Sequence, residues 1–353
     1  MDDILAMEIG GGDLKCVYYK EGHIEFNVIP YTLGKNKNEK FFNALSRVYF
    51  QHPNCKYLSI VATFPVGAKK LSDDMKIMLL ALKKFNSDNK WILGGNGKLY
   101  PFNTDRECLK IIKDTPLFVG ASYAGFPLFC RNMEICKTGV FVEMGSTSTN
   151  LSYMTNGVID YTDPRRPFFY EVVWYGMFFT NLERIFVKVP YSQYIVSTTP
   201  HILQSMHLFY FLYPEETNNL LSEYNLPVLN EERVISYFAT FINMDIEHID
   251  KNALELTAEY MYNKFIFLLG EWIYRFRCYK GVSKRPIICG GIGKNILKRA
   301  LGNCRAEVID IGEYTRGWYI VDLLGLLSET IKKLGHNPKE LLRGSNGLSR
   351  HFG

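Results

Sequence analysis

The chain has 353 residues, of which 47% are hydrophobic, 14% aromatic and 22% charged, with a net charge of +5; this excludes a disordered polymer and leaves length for two well-buried cores. The paired basic residues at 69–70, 83–84, 165–166 and 332–333 are scattered, which argues against a nucleic-acid footprint. Eight cysteines form no C-x-x-C pair, seven histidines lack metal-ligand spacing beside them, and no signal-like start or membrane-length apolar run appears, so the expectation is a reduced, cytoplasmic protein with no nucleic-acid or membrane partner.

The chain opens on an apolar run, Ile4-Leu-Ala-Met. It leads through Glu8 into Gly10-Gly11-Gly12, Asp13 and Lys15, and leaves as Cys16-Val-Tyr-Tyr. Strand, acid, glycine turn, polar residue, strand is the order of a hairpin whose backbone can approach a phosphate. Ile24 to Tyr31 reads as a third strand, Phe41 to Gln51 as a helix with Phe41, Phe42, Leu45 and Val48 on one stripe, and Tyr57 to Thr63 as a buried strand. Its end, Thr63-Phe64-Pro65, is a candidate substrate loop, because open α/β sheets bind ligands beyond the carboxyl ends of their strands. Leu71 to Phe85 predicts a helix, Trp91 to Leu93 a strand, Asn103 to Glu107 a capped helix start, and Pro116 to Cys130 one further helix.

A second hairpin follows. Val140-Phe-Val-Glu143-Met-Gly145-Ser146-Thr147-Ser-Thr149 repeats strand, acid, glycine and hydroxyls, and those hydroxyls can donate to phosphate oxygens. Either hairpin alone is better explained as a tight turn than as a phosphate site. Two of them, one per half, point to a duplicated α/β protein with its ligand held between the halves. Glu8 and Glu143 would then hold Mg²⁺, which takes only one or two carboxylates and completes its shell with water and phosphate. Beyond Asp163-Pro164 and the aromatic stretch 168–179, residues 190–250 read as an insertion with helices at Ile202 to Tyr213 and Glu231 to Phe241. Asn252 to Arg277 is one long helix. Pro286 to Gly293 is a strand running into the turn Gly290-Gly291-Ile-Gly293 at a helix start, where a nucleotide or a helix-packing contact are equal readings. The strand Glu307 to Ile311, the helix Trp318 to Leu334 and a polar, frayed tail complete the chain.

Three turns, at 8–15, 143–149 and 290–293, resemble the two phosphate loops and the adenosine loop of the acetate and sugar kinase, heat-shock ATPase and actin superfamily. Ala62-Thr63, Val119 to Tyr123, Tyr161-Thr-Asp163, Tyr175-Gly176 with Thr180, and Ala253 to Tyr262 extend the likeness. Together they resemble the archaeal hydantoinase/oxoprolinase-like branch that includes the methanofuran-biosynthesis synthase. The resemblance implies two ribonuclease H-like (actin/sugar-kinase-like) domains, 1–136 and 137–335. It implies Mg²⁺ with ATP or a diphosphate ester, a small phosphorylated substrate, and alkyl or phosphoryl transfer, with a homo-oligomer left open. Catalytic roles fall on Glu8, Lys15 and Glu143, and phosphate contacts on Gly10, Gly11, Gly12, Gly145, Ser146, Thr147 and Thr149. Nucleotide or substrate contacts fall on Gly290, Gly291, Gly293, Asp163, Thr63, Phe64 and Phe179. The family carries charged residues where this chain has Phe64, Asn150 and Phe179, which implies an altered substrate or a non-catalytic relative.

Overall fold

The computed structural model describes residues 3–10, 13–31, 37–62, 70–161, 170–200, 202–339 and 349–350. The first half contains β1 (Ile4–Ile9), β2 (Asp13–Lys20), β3 (His23–Pro30), α1 (Lys37–Gln51), β4 (Tyr57–Ala62), α2 (Leu71–Leu82), β5 (Asn89–Leu93), β6 (Leu99–Pro101), α3 (Asp105–Lys113), α4 (Thr115–Phe118) and α5 (Gly125–Asn132). The second half contains β7 (Gly139–Met144), β8 (Thr149–Thr155), β9 (Val158–Ile159), β10 (Val172–Val173), β11 (Lys188–Tyr191), β12 (Tyr194–Ser197), α6 (Ser205–Leu212), α7 (Pro214–Glu223), α8 (Glu231–Phe241), α9 (Lys251–Lys280), β13 (Ile287–Gly290), α10 (Lys294–Ala300), β14 (Val308–Asp310), α11 (Val321–Lys333) and β15 (Ser349–Arg350).

The two main sheets share one plan. In the first, β3-β2-β1-β4-β5 lie side by side, with β2 antiparallel to β1 and β3, and β4 parallel to β1 and β5. In the second, β10-β8-β7-β13-β14 repeat that order and those directions. Both centres, β1 and β7, are buried along their whole length, as strands covered on two faces must be. Period-two alternation sorts β1. Leu5, Met7 and Ile9 join the core under α1 and α2, while Ile4 and Ala6 face a second core that includes α5 and α11. Glu8 shares the parity of Ile4 and Ala6, and Lys15 that of Val17 and Tyr19, so both charges point toward α11.

Helices α5 and α11 pack on each other, α5 against β7 and β8, and α11 against β1, β2 and β4. The predicted single helix from Pro116 to Cys130 is instead broken. Val119 is extended and bridges Ala62, and Gly120 adopts a left-handed backbone, φ 74°. Two further expectations are corrected: Phe42 is exposed rather than on the buried stripe of α1, and the tail returns to pair Ser349–Arg350 with β3. The insertion holds more than the two expected helices, adding α7 and the β11–β12 hairpin. No described helix is long and apolar enough to cross a membrane.

Candidate functional site

Register builds the site. Glu8 on β1 lies directly across from Lys15 on β2, and Lys15 Nζ donates to Glu8 Oε2 at 2.7 Å. The equivalent position on β7 is Glu143, whose cross-strand partner on β8 is Asn150. Thus each half contributes one glutamate near the end of its central strand, and the partner seven residues later is a cation in one half and an amide in the other. Both glutamates are buried, at 4% and 8% exposure.

Asp322, in the first turn of α11, completes the cluster. Its carboxyl is buried and accepts from Leu323 N–H at 2.8 Å. Burial first, and then the charges of Glu143 and Glu8, push it well above the usual carboxylate range, and it shares a hydrogen bond with Glu8. The acid from the second half of the chain is therefore the one that feels both hairpins. Asp13 is also raised, by burial above all and further by Glu8. Burial alone would pull the Lys15 ammonium down, but Glu8, Asp13 and Asp322 outweigh it and hold it well above its ordinary value. One buried lysine thus lies among three acidic side chains, Glu8, Asp13 and Asp322.

The first turn closes with Gly10 N–H donating to Asp13 O at 2.9 Å, and the Tyr31 hydroxyl donates to Gly10 O. Its tip, Gly11 and Gly12, lies outside the described residues, as do Thr63, Phe64 and Asp163. The second turn closes with Gly145 N–H donating to Ser148 O at 2.9 Å. Segment 176–179 lies directly upon it. Met177 N–H donates to Gly145 O, Phe178 and Phe179 N–H donate to Ser146 O, and a Cβ on Gly176 would fall 2.4 Å from Thr147 C. Phe179 therefore borders the second hairpin. Ser146 and Thr147 lie toward the outside of the turn. Thr149 is fully buried and its hydroxyl donates to Tyr175 O at 2.6 Å, which braces the hairpin.

Gly290, Gly291 and Gly293 wrap the end of β7. Gly291 has φ 82° and room for no side chain, since its Cβ would lie 2.5 Å from Met144 O. A Cβ on Gly293 would lie 2.3 Å from Met144 Sδ. Packing alone requires these two glycines, and it sets the start of α10 beside Glu143. Behind the turn a cavity of ≈ 10 Å³ is lined by Met177, Phe209, Tyr213, Thr217, Asn295 and Arg299, space for one water rather than a nucleobase. The Thr217 hydroxyl is buried there without a hydrogen-bond partner.

The end of α7 closes the cleft. Tyr224 is buried, close enough to feel Lys15, Asp322, Asp13 and Glu8, and its hydroxyl donates to Tyr319 O at 2.9 Å. Asn225, with φ 51°, donates from Nδ2 to Val28 O on β3 at 3.0 Å, so the insertion is tied to the first sheet across the site.

Two site residues are absent from the sequence reading. Asp322 was hidden in the apolar run of a helix; its only signal is one carboxylate among Val321, Leu323 and Leu324. Tyr224 had none, being one aromatic among many. His207 is a satisfied core histidine, its Nδ1 accepting from Gln204 N–H.

Acetone carboxylase, in the nucleotide-free structure of an enzyme of ATP-dependent acetone carboxylation, superposes with a TM-score of 0.56 over 92% of this chain and 70% of that chain, at 8% identity. With the repeated strand order, that settles the architecture. The chain has the two-domain actin-like, sugar-kinase-like fold. Two more similar structures are a candidate N-acetylmannosamine kinase from Listeria monocytogenes, at TM-score 0.44 and 13% identity over 94% of this chain and 99% of that one, and Ta0583, an archaeal actin homolog in complex with ADP, at TM-score 0.44 and 13% identity over 94% and 100%. No protein-family model and no curated protein matches the sequence.

Proposed function

We propose that this protein is a Mg²⁺-dependent enzyme that holds a diphosphate or triphosphate between its two hairpins and transfers an alkyl or phosphoryl group to a small acceptor. The observation that carries the reading is the equivalence of Glu8 and Glu143, one per half at the same register position, converging on Asp322 beside Lys15. Among the described residues no three His, Cys, Asp or Glu side chains gather as a metal cage. Mg²⁺ arriving with a phosphate needs only one or two protein carboxylates. Glu8 and Glu143 would hold it, and bound there it would neutralise charge on the departing phosphate. Lys15, which donates to Glu8 here, would supply a point charge to the same oxygens. Tyr224 and α7 shield the cluster from water, which strengthens each of these interactions.

The resemblance to the methanofuran-biosynthesis synthase favours displacement of diphosphate from an alkyl diphosphate. The carbon–oxygen bond breaks with its electron pair on pyrophosphate, and the acceptor's lone pair makes the new bond. Phe64 in place of that family's glutamate, together with Phe179 in place of its arginine, favours an acceptor less charged and more apolar than that family's amine, since an ammonium would lose its carboxylate partner. An ATP-dependent kinase or hydantoinase/oxoprolinase-like ATPase uses the same groups. A second reading, a non-catalytic binding relative, is favoured by one feature: Lys15 is already neutralised by Glu8 within a closed cleft.

Thermal unfolding with ATP, ADP and pyrophosphate, each with and without Mg²⁺, separates these. A ligand at one hundred times its Kd adds about 2.7 kcal/mol. Mg²⁺-dependent stabilisation by pyrophosphate alone supports the synthase-like reading, and stabilisation by ATP supports the kinase or ATPase. No shift at millimolar ligand overturns the enzyme.

A further inference from the structure

The longest helix carries an apolar stripe on the side away from the core. On α9, Leu256, Phe267 and Tyr274 are exposed, the first two at 68% and 70%. At 100° per residue these three lie within about 20° of one another. Tyr260 and Cys278, also exposed, join the stripe, which runs from Leu256 to Cys278. Core residues Leu254, Ala258, Met261, Phe265, Leu269, Ile273 and Phe276 occupy the opposite face. Single exposed apolar side chains are ordinary, but a row of them along one helix is not.

Tyr260, Phe267 and Tyr274 recur every seven residues, the spacing at which one helix lies along another. The row is also self-complementary when reversed. With a twofold axis through Phe267, Tyr260 meets Tyr274 of a second copy, Leu256 meets Cys278, and Lys264 falls within one residue of Glu271, which also pairs with Arg275 of its own helix. Opposite charges therefore flank an aromatic centre in the antiparallel arrangement. In a parallel one, the twofold along the helices would put Lys264 and Glu271 of the two copies on opposite flanks, so the two charges would not meet.

The β11–β12 hairpin enlarges this face. It packs on the first half of α9, where Thr257 Oγ1 donates to Pro190 O at 2.7 Å and the Tyr191 hydroxyl accepts from Asp250 N–H at 2.8 Å. It exposes Val187, Tyr194 and Ile195, and its two strands pair only with each other among the described strands. At roughly 100 Å² of exposed surface per residue, the eight helix and hairpin side chains offer on the order of 800 Å² per copy, comparable with the ~800 Å² per partner of a stable interface.

We propose that a second copy of this chain covers the face, as a homodimer with antiparallel α9 helices crossing at Phe267. The glutamate cluster takes no part, so the dimer stands or falls independently of the enzymatic reading. In that arrangement the two Cys278 thiols lie roughly 33 Å apart along the helix axis, whereas position 256 of each copy faces Cys278 of the other.

Sedimentation of the full chain at micromolar concentration gives twice the 40.8 kDa chain mass, and Phe267→Glu, a change at an exposed position, gives monomer with an unchanged circular-dichroism spectrum. Under mild oxidation Leu256→Cys forms a covalent dimer, while the unsubstituted chain and Leu256→Cys/Cys278→Ser do not. A monomer at all concentrations, a dimer indifferent to Phe267→Glu, or failure of Leu256→Cys to cross-link to Cys278 overturns the proposal.

Discussion

Gly125 on α5 and Gly325 on α11 bring two helices into backbone contact: a Cβ at 325 would lie 1.8 Å from the Gly125 carbonyl oxygen, and one at 125 would lie 2.2 Å from the Asp322 carbonyl oxygen. One helix rests on the second sheet and the other on the first. The crossing therefore fixes the distance between the halves, and it sets Asp322 beside Glu8. Because the obstructing atoms are backbone, Gly325→Ala cannot be absorbed by a rotamer change. We expect a loss of about 3 kcal/mol or more, the upper range for overpacking. Denaturant unfolding measures it, and a loss below about 1 kcal/mol would mean that the helices separate freely.

How far the sequence reveals this molecule follows from the range of the forces involved. The two hairpins are legible because alternation and glycine turns act over ten residues, and the Thr104–Glu107 capping box is local in the same way. Helix 116–130 is misread because its break is tertiary. Val119 leaves the helix to bridge Ala62, a residue 57 positions earlier. The β11–β12 hairpin is missed because its turn uses Ser192 at φ 53° where glycine would have marked it. Asp322 becomes a site residue only when α11 returns to β1, which no local pattern encodes.

The Glu8–Lys15 pair is buried, and removing one partner strands the other. Lys15→Met leaves Glu8 without its cation beside Asp322 and Glu143, at an expected cost of about 3–5 kcal/mol. The double variant Glu8→Gln/Lys15→Met recovers most of that loss. Unfolding free energies of the four proteins form the cycle; simple additivity would show that the two side chains do not depend on each other. Glu8→Gln and Glu143→Gln each remove the Mg²⁺-dependent part of pyrophosphate binding if both hold the ion, and Mg²⁺ dependence retained in both assigns them to hairpin structure alone.

His207 makes stability depend on pH. It is buried on α6, its Nδ1 accepts from Gln204 N–H at 3.0 Å, and its ring stacks on Tyr237 at 4.2 Å. Burial first, and Arg233 second, push it down to about 4. The unfolded chain takes up this proton near pH 6.5, before the folded one does. Its contribution is thus complete above pH 6.5 and is lost as pH falls toward 4, about 3 kcal/mol in all. His207→Gln should flatten that window relative to the unsubstituted protein. Equal slopes for the two between pH 6.5 and 4 would assign the acid sensitivity to carboxylates instead.

Asn225 tests whether the cleft opens by releasing the insertion. Its Nδ2 bond to Val28 O joins the end of α7 to β3, and next to it Tyr224 covers Lys15 and the carboxyl cluster. Glu8 is only 4% exposed, and lifting this segment would open one route to it. Asn225→Gly preserves the left-handed backbone that the position needs, φ 51°, because glycine adopts it freely. The substitution therefore removes the tether and little else, at a cost of about 1 kcal/mol of closed-state stability. Amide exchange in residues 222–228 should accelerate by roughly the five- to tenfold that such a loss implies. Pyrophosphate association should accelerate with it, since a cleft that is open more often is entered more often. Tyr224→Phe gives a contrasting outcome. It leaves the ring over the cluster but strips the Tyr319 carbonyl of its donor, so exchange rises while the cover stays. If Asn225→Gly accelerates exchange in the segment but leaves ligand association unchanged, entry proceeds by another route and the tether is structural only.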